Sequence, residues 1–104
     1  VFGDADVLRR CAAVTGLPWP DDIELRSASA DPLPAPITRP MVVDFASLDA
    51  ATIVPGQCTA ATGRASYDYI QAAIDAALAR RIEGVTTGPI NKEALHAAGI
   101  NFPG

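Results

Sequence analysis

The sequence has 104 residues and a formal net charge of -4, with 49% hydrophobic and 19% charged residues. That is the length of one small domain at most, too apolar for a disordered chain. With one lysine, Lys92, and seven scattered arginines, it lacks the clustered cations needed to grip nucleic acid or an anionic lipid surface.

No window approaches the roughly eighteen apolar residues of a membrane span, and no signal-peptide pattern opens the chain, so a cytoplasmic protein is expected. Cys11 and Cys58 form no C-x-x-C and are read as buried free thiols. His96 is the single histidine. It is read as structural, because catalytic metal sites and Ser/His/Asp triads need partners that its surroundings do not offer.

Val1 and Phe2 read as the tail of a strand whose beginning lies before Val1, which makes the N-terminus look cut. Asp4 or Asp6 then caps a helix with Val7, Cys11 and Val14 at helical spacing, ended by Gly16. Arg9–Arg10, like Arg80–Arg81 later, is assigned to a helix end, where cations complement the dipole. From Leu17 to Pro40 the chain is dominated by proline and small residues. It is read as a crossover connection with one short strand near Ile23–Arg26, in preference to a proline-rich ligand. Met41–Phe45 is a strand, and the following stretch to Pro55–Gly56 is loop with a short turn.

Thr62 is placed as the cap of a long helix whose stripe is Tyr67, Ile70, Ile74, Ala77, Leu78 and Arg81, with Arg80 and Arg81 in its last turn. Arg64 is read as a surface side chain, with contact to a phosphate or an adjoining subunit as the alternative. Tyr67 is assigned to the core and Tyr69 to an interface. IEGVTTG follows as a parallel strand, and PINKEALHAAG as a helix with Pro89 just inside its start and Gly99 just past its end. INFPG closes on a turn without a natural stop.

In parallel α/β sheets the ligand crevice lies beyond the carboxyl ends of the strands. VTTGPINK occupies such a position, so Thr87, Gly88, Asn91 and Lys92 are the candidate substrate-binding residues. A lysine at a helix start opposes the dipole, which points to an anionic partner; the alternative is a solvated lysine paired with Glu93 or another acid.

VTTGPINKEALHAAGINFPG resembles the segment of the 4-hydroxythreonine-4-phosphate dehydrogenase family in which a T-x-P-x-x-K turn leads through a helix to A-G-x-x-x-x-G. VFGDADVLRRCAAVTGLP and PGQCTAATGRASYDYIQAAIDAAL resemble, in the same order, the family's early strand and helix and its long helix. The resemblance covers most of the chain and is weakest between Asp21 and Ala51. It implies a three-layer α/β/α fold similar to that of isopropylmalate dehydrogenase, of which this chain is an incomplete piece. Residues 1–104 are then part of one α/β domain: strand, helix and strand over 1–26, the Pro-rich connection over 27–40, and strand, long helix, strand and helix over 41–104.

For the complete protein the resemblance implies NAD-dependent oxidation and decarboxylation of 4-phosphooxy-L-threonine to 3-amino-2-oxopropyl phosphate in pyridoxal phosphate biosynthesis. A divalent metal (zinc, magnesium or cobalt) polarises the oxygen, and two subunits form a homodimer. The implied metal ligands and the His-Thr pair lie outside this chain. No catalytic residue or metal ligand is therefore assigned here, and the 104 residues alone are expected to be inactive. Alternatives are relatives acting on 4-phospho-D-threonate, D-erythronate or a dihydrodiol, a phosphate acyltransferase of related fold, and a non-catalytic anion-binding or subunit-interaction module.

Overall fold

Met41–Asp44 is the strand around which the first part of the molecule is built. The computed structural model describes residues 1–30 and 33–102, and the chain divides into two units, Val1–Ile53 and Val54–Gly104.

The first unit runs β1 (Phe2–Gly3), α1 (Ala5–Thr15), β2 (Glu24–Ser27), β3 (Met41–Asp44) and a 3-10 turn (Ala50–Thr52). The sheet order is β1-β3-β2 and both pairings are parallel, with Phe2 opposite Val43 and Arg26 opposite Val43. Met41, Val42 and Val43 are all buried, the unbroken apolar run of a central parallel strand. Joining β2 to its parallel neighbour β3 needs a crossover of a dozen or more residues, and the Pro-rich segment 28–40 supplies it with no helix among its described residues. Asp31 and Pro32, in that connection, lie outside the described residues, as do Pro103 and Gly104 of the expected final turn.

Two aspartates exchange roles where β1 and β3 end. Asp4 sits at the N-cap position of α1, yet its side chain caps nothing there. Instead Asp44 Oδ1 accepts from the Ala5 backbone N–H at 2.9 Å. Asp4, only 3% exposed, accepts from the Leu48 N–H at 2.5 Å and from Ser47 Oγ at 3.1 Å. The expected capping by Asp4 or Asp6 is thus replaced by capping from the neighbouring strand.

This fixes the phase of α1. Ala5, Leu8 and Ala12 turn inward, Leu8 lying over Gly3, whereas Cys11 and Val14 are exposed, Val14 at 77%. Of the expected stripe only Val7 is half-buried, and Cys11, expected to be buried, is not. Cys58 is exposed as well. Arg9 and Arg10 fall inside the helix rather than at its end. Arg9 pairs with Asp6 at 3.2 Å and lies over the Trp19 ring, and Arg10 donates to the carbonyls of Ala50 and Ile53.

The second unit contains α2 (Ala60–Leu78) and α3 (Lys92–Ala97). Thr59, not Thr62, caps α2. Thr59 Oγ1 accepts from the Thr62 N–H while Thr62 Oγ1 accepts from the Thr59 N–H, both at 3.2 Å, a reciprocal capping box. The helix ends at Leu78, and Arg80 takes a left-handed φ of 57°. Its N–H bonds the Ala77 carbonyl and that of Arg81 bonds the Ala76 carbonyl, the Schellman arrangement in which glycine is usual. Arg80 and Arg81 therefore follow the helix instead of occupying its last turn.

The buried residues of α2 are Gly63, Ala65 and Ala73, while Leu78 of the expected stripe is 78% exposed. At Gly63 the absence of a side chain lets α3 lie close. A Cβ on Gly63 would stand 1.9 Å from the carbonyl oxygen of Ala94.

Residues 82–88, expected as a strand, form no ladder. A β-branched run becomes a strand only when a neighbour pairs with its N–H and C=O groups, and this unit contains no other strand among the described residues. Helix α3 begins at Lys92, three residues after Pro89, because Asn91 and not the proline supplies its start; Gly99, at φ 76°, follows it as expected.

Two substitutions test these contacts. Gly→Ala inside a helix normally stabilises by up to about 1 kcal/mol. Gly63→Ala is expected to reverse that sign and destabilise by about 1–3 kcal/mol in urea unfolding, because the added methyl meets backbone. Asp4→Ala leaves the Leu48 N–H and Ser47 hydroxyl without their acceptor and is expected to cost about 1–3 kcal/mol, with Asp4→Asn retaining part of it.

Candidate functional site

The four predicted binding residues lie in the second unit and divide into two groups. Thr87 and Gly88 are exposed in the irregular segment before α3, and among the described residues no hydrogen bond joins them to Asn91 or Lys92. Asn91 and Lys92 are brought together at the start of α3. Asn91 Oδ1 accepts from the Ala94 N–H at 2.9 Å, which makes Asn91 the N-cap and commits its acceptor oxygen to the backbone.

Lys92 is exposed, and among the described residues it has no ion pair with Glu93 or any other acid. Of the solvated-pair alternative, the structure shows the solvated side chain without the pairing to an acid among the described residues. Its side chain borders a cleft of about 390 Å³ between α2 and α3. The wall is chiefly apolar, formed by Tyr67, Ile70, Ile74, Ile90, Leu95, Ile100 and Phe102, with Gln71 and His96 completing it. Tyr67 and Phe102 stack with ring centroids 6.0 Å apart and an interplanar angle of 23°.

Tyr67 is thus a cleft wall, half-buried, rather than core. Its hydroxyl lies 3.4 Å from Gln71 Oε1, and Gln71 Nε2 donates to Asp75 at 3.0 Å, a polar line along α2. His96, read as structural from the sequence, is exposed one helical turn beyond Lys92 and borders the same cleft. The signal that locates it is the i, i+4 spacing from Lys92, which places both on one helix face.

Chemically, the arrangement offers one unpaired ammonium beside an apolar surface, where an anion is attracted more strongly than in open water. Arg64 offers less. Its Nε lies 3.0 Å from Asp68 and its guanidinium sits 5.7 Å from the Tyr67 ring centroid, so the surface reading holds. Among the described residues no three His, Cys, Asp or Glu side chains come together to hold a metal ion. No described helix is long and apolar enough to cross a membrane.

Comparison with known proteins extends this local picture. A family model described as pyridoxal phosphate biosynthetic protein PdxA matches residues 1–104. The chain is 32% identical over 104 residues to D-threonate 4-phosphate dehydrogenase of Pectobacterium atrosepticum, covering all of this chain and 31% of that protein. It is 41% identical over 63 residues to 4-hydroxythreonine-4-phosphate dehydrogenase of Desulforapulum autotrophicum, covering 61% of this chain and 18% of that one.

Among solved structures, 4-hydroxythreonine-4-phosphate dehydrogenase of Klebsiella pneumoniae superposes with a TM-score of 0.79 at 34% identity, covering 100% of this chain and 31% of that chain. The chain spans less than a third of the length of each of these relatives. The expected α/β class, a parallel sheet with helices, is the class of these dehydrogenases.

Because Arg64 is engaged along its own helix, Arg64→Ala is expected to change stability by less than about 1 kcal/mol and to leave substrate KM unaltered in the complete protein. Chemical unfolding and steady-state kinetics check both, and a KM raised by an order of magnitude would return Arg64 to the binding site.

Proposed function

The chain belongs to the PdxA family, and on that basis we propose that the complete protein is an NAD-dependent dehydrogenase of a phosphorylated hydroxy acid. The observation that carries the proposal is the match of the family over residues 1–104. It is supported by an unpaired Lys92 in the turn that the sequence resemblance singles out.

The finer reading is oxidation and decarboxylation of 4-phosphooxy-L-threonine to 3-amino-2-oxopropyl phosphate in pyridoxal phosphate biosynthesis. A bound nicotinamide would supply the hydride acceptor for oxidation of the alcohol to a β-keto acid, which would then lose carbon dioxide. In this reading Lys92 supplies positive charge to an anionic group of the substrate, while Thr87 and Gly88 contribute backbone and hydroxyl groups before the turn.

Among the described residues no group of side chains assembles a metal site. The homodimer and the cytoplasmic setting belong to the same proposal. A second reading, D-threonate 4-phosphate as substrate, is favoured by a specific observation: a relative of that name aligns with this chain over all 104 residues.

The test is a panel run on the complete protein. It comprises 4-phosphooxy-L-threonine, D-threonate 4-phosphate, D-erythronate 4-phosphate and a dihydrodiol, each with NAD or NADP and a divalent metal, followed by nicotinamide absorbance. Reduction of NAD with one of the first two is expected. Lys92→Ala is expected to lower kcat/KM for that substrate by at least an order of magnitude without altering the melting temperature, since a hydrogen bond to a charged group contributes about 1.5–3 kcal/mol. No turnover of any phosphorylated acid would overturn the proposal, and unchanged kinetics in Lys92→Ala would remove Lys92 from the site.

A further inference from the structure

Helix α3 has six residues, Lys92–Ala97, too few to hold itself in water, where isolated helices below about a dozen residues are marginal. Something outside its own hydrogen bonds must keep its first turn in place. Two contacts do so, and both fall on Ala94. The Ala94 N–H donates to Asn91 Oδ1 at 2.9 Å, and the Ala94 carbonyl lies where a side chain on Gly63 of α2 would otherwise stand. Ala94 is itself buried. Lys92 is the residue immediately after the cap, so the orientation of the cap and the seating of Ala94 together determine where its ammonium is carried along the cleft.

We propose that Asn91 is a positioning residue that acts through Lys92: its side chain locks the first turn of α3 against Gly63 and so holds the Lys92 ammonium beside the cleft. The sequence places Asn91 among residues that touch the ligand. The structure gives its acceptor oxygen to the Ala94 backbone instead. The inference rests on the reading of Lys92 as the cation that meets the substrate's anionic group, and the experiment separates failure of the two.

The experiment is a double-mutant cycle in the complete protein, with steady-state kinetics on whichever of 4-phosphooxy-L-threonine or D-threonate 4-phosphate is turned over. Asn91→Ala is expected to raise KM about fivefold, the effect of losing a typical N-cap, with kcat little changed. Asn91→Ser, a neutral residue that keeps a capping oxygen, is expected to restore KM to within about twofold of the native value. In a Lys92→Ala background the Asn91→Ala change is expected to add almost nothing, since residues acting as one unit are not additive. Asn91→Gln, which keeps an amide but moves its oxygen off the cap, serves as the second variant and is expected to behave like Asn91→Ala.

Equal effects of Asn91→Ala with and without Lys92 would overturn the inference while leaving Lys92 in the site. Failure of serine, together with full activity of glutamine, would also overturn it, because the amide would then be meeting the ligand directly. Native kinetics in Lys92→Ala would overturn the reading of Lys92 and the inference with it.

Discussion

A helix can lie directly on another only where the intervening side chains are absent, and in the second unit that condition is met at one residue. At Gly63 the space that a Cβ would take is occupied by the backbone of Ala94. The short α3 gains there a support it cannot provide for itself, and on the same face of α2 the larger Tyr67, Ile70 and Ile74 border the cleft. The side chains that border that cleft, Lys92 and His96 among them, are those the two helices carry when packed at this distance.

The first unit rests on a different device. Asp4 and Asp44 end two neighbouring parallel strands and exchange acceptors, Asp44 serving the first N–H of α1 and Asp4 serving the loop that leaves β3. A carboxylate that accepts charge-assisted hydrogen bonds from buried backbone groups ties elements together more firmly than a neutral cap does. The carboxyl ends of parallel strands are the usual place for ligands in α/β sheets. Here the two carboxylates found at that edge are engaged in holding the strand ends, which gives them an architectural role.

Family membership and local physics bear on different parts of the function. The match along the whole chain places it in the PdxA family, whose relatives matched here are named 4-hydroxythreonine-4-phosphate and D-threonate 4-phosphate dehydrogenases. The residues themselves contribute an unpaired lysine, a cap that orients it and an apolar wall beside it.

The strength of the sequence pattern was enough to determine the local elements. The strand at Met41–Asp44, the long α2 and the glycine stops at Gly16 and Gly99 follow from a β-branched run, helical spacing and the left-handed conformation that glycine accepts, and a short strand was legible near Glu24–Ser27. The T-x-P-x-x-K turn, carrying Asn91 and Lys92, was likewise legible as a motif. What tertiary contact alone decided is which face of α1 turns inward and which segment pairs. In α1, packing turned Ala5, Leu8 and Ala12 inward and left Cys11 and Val14 exposed; in α2 the expected Tyr67, Ile70 and Ile74 do face α3 with Gly63 among them, while Leu78 is exposed. The run at 82–88 has strand composition without a ladder, because pairing is a property of two segments and cannot be read from one. The part Asn91 plays as helix cap is of the same kind: its residue type permits several roles, and only the position of the Ala94 N–H committed its acceptor oxygen to the cap.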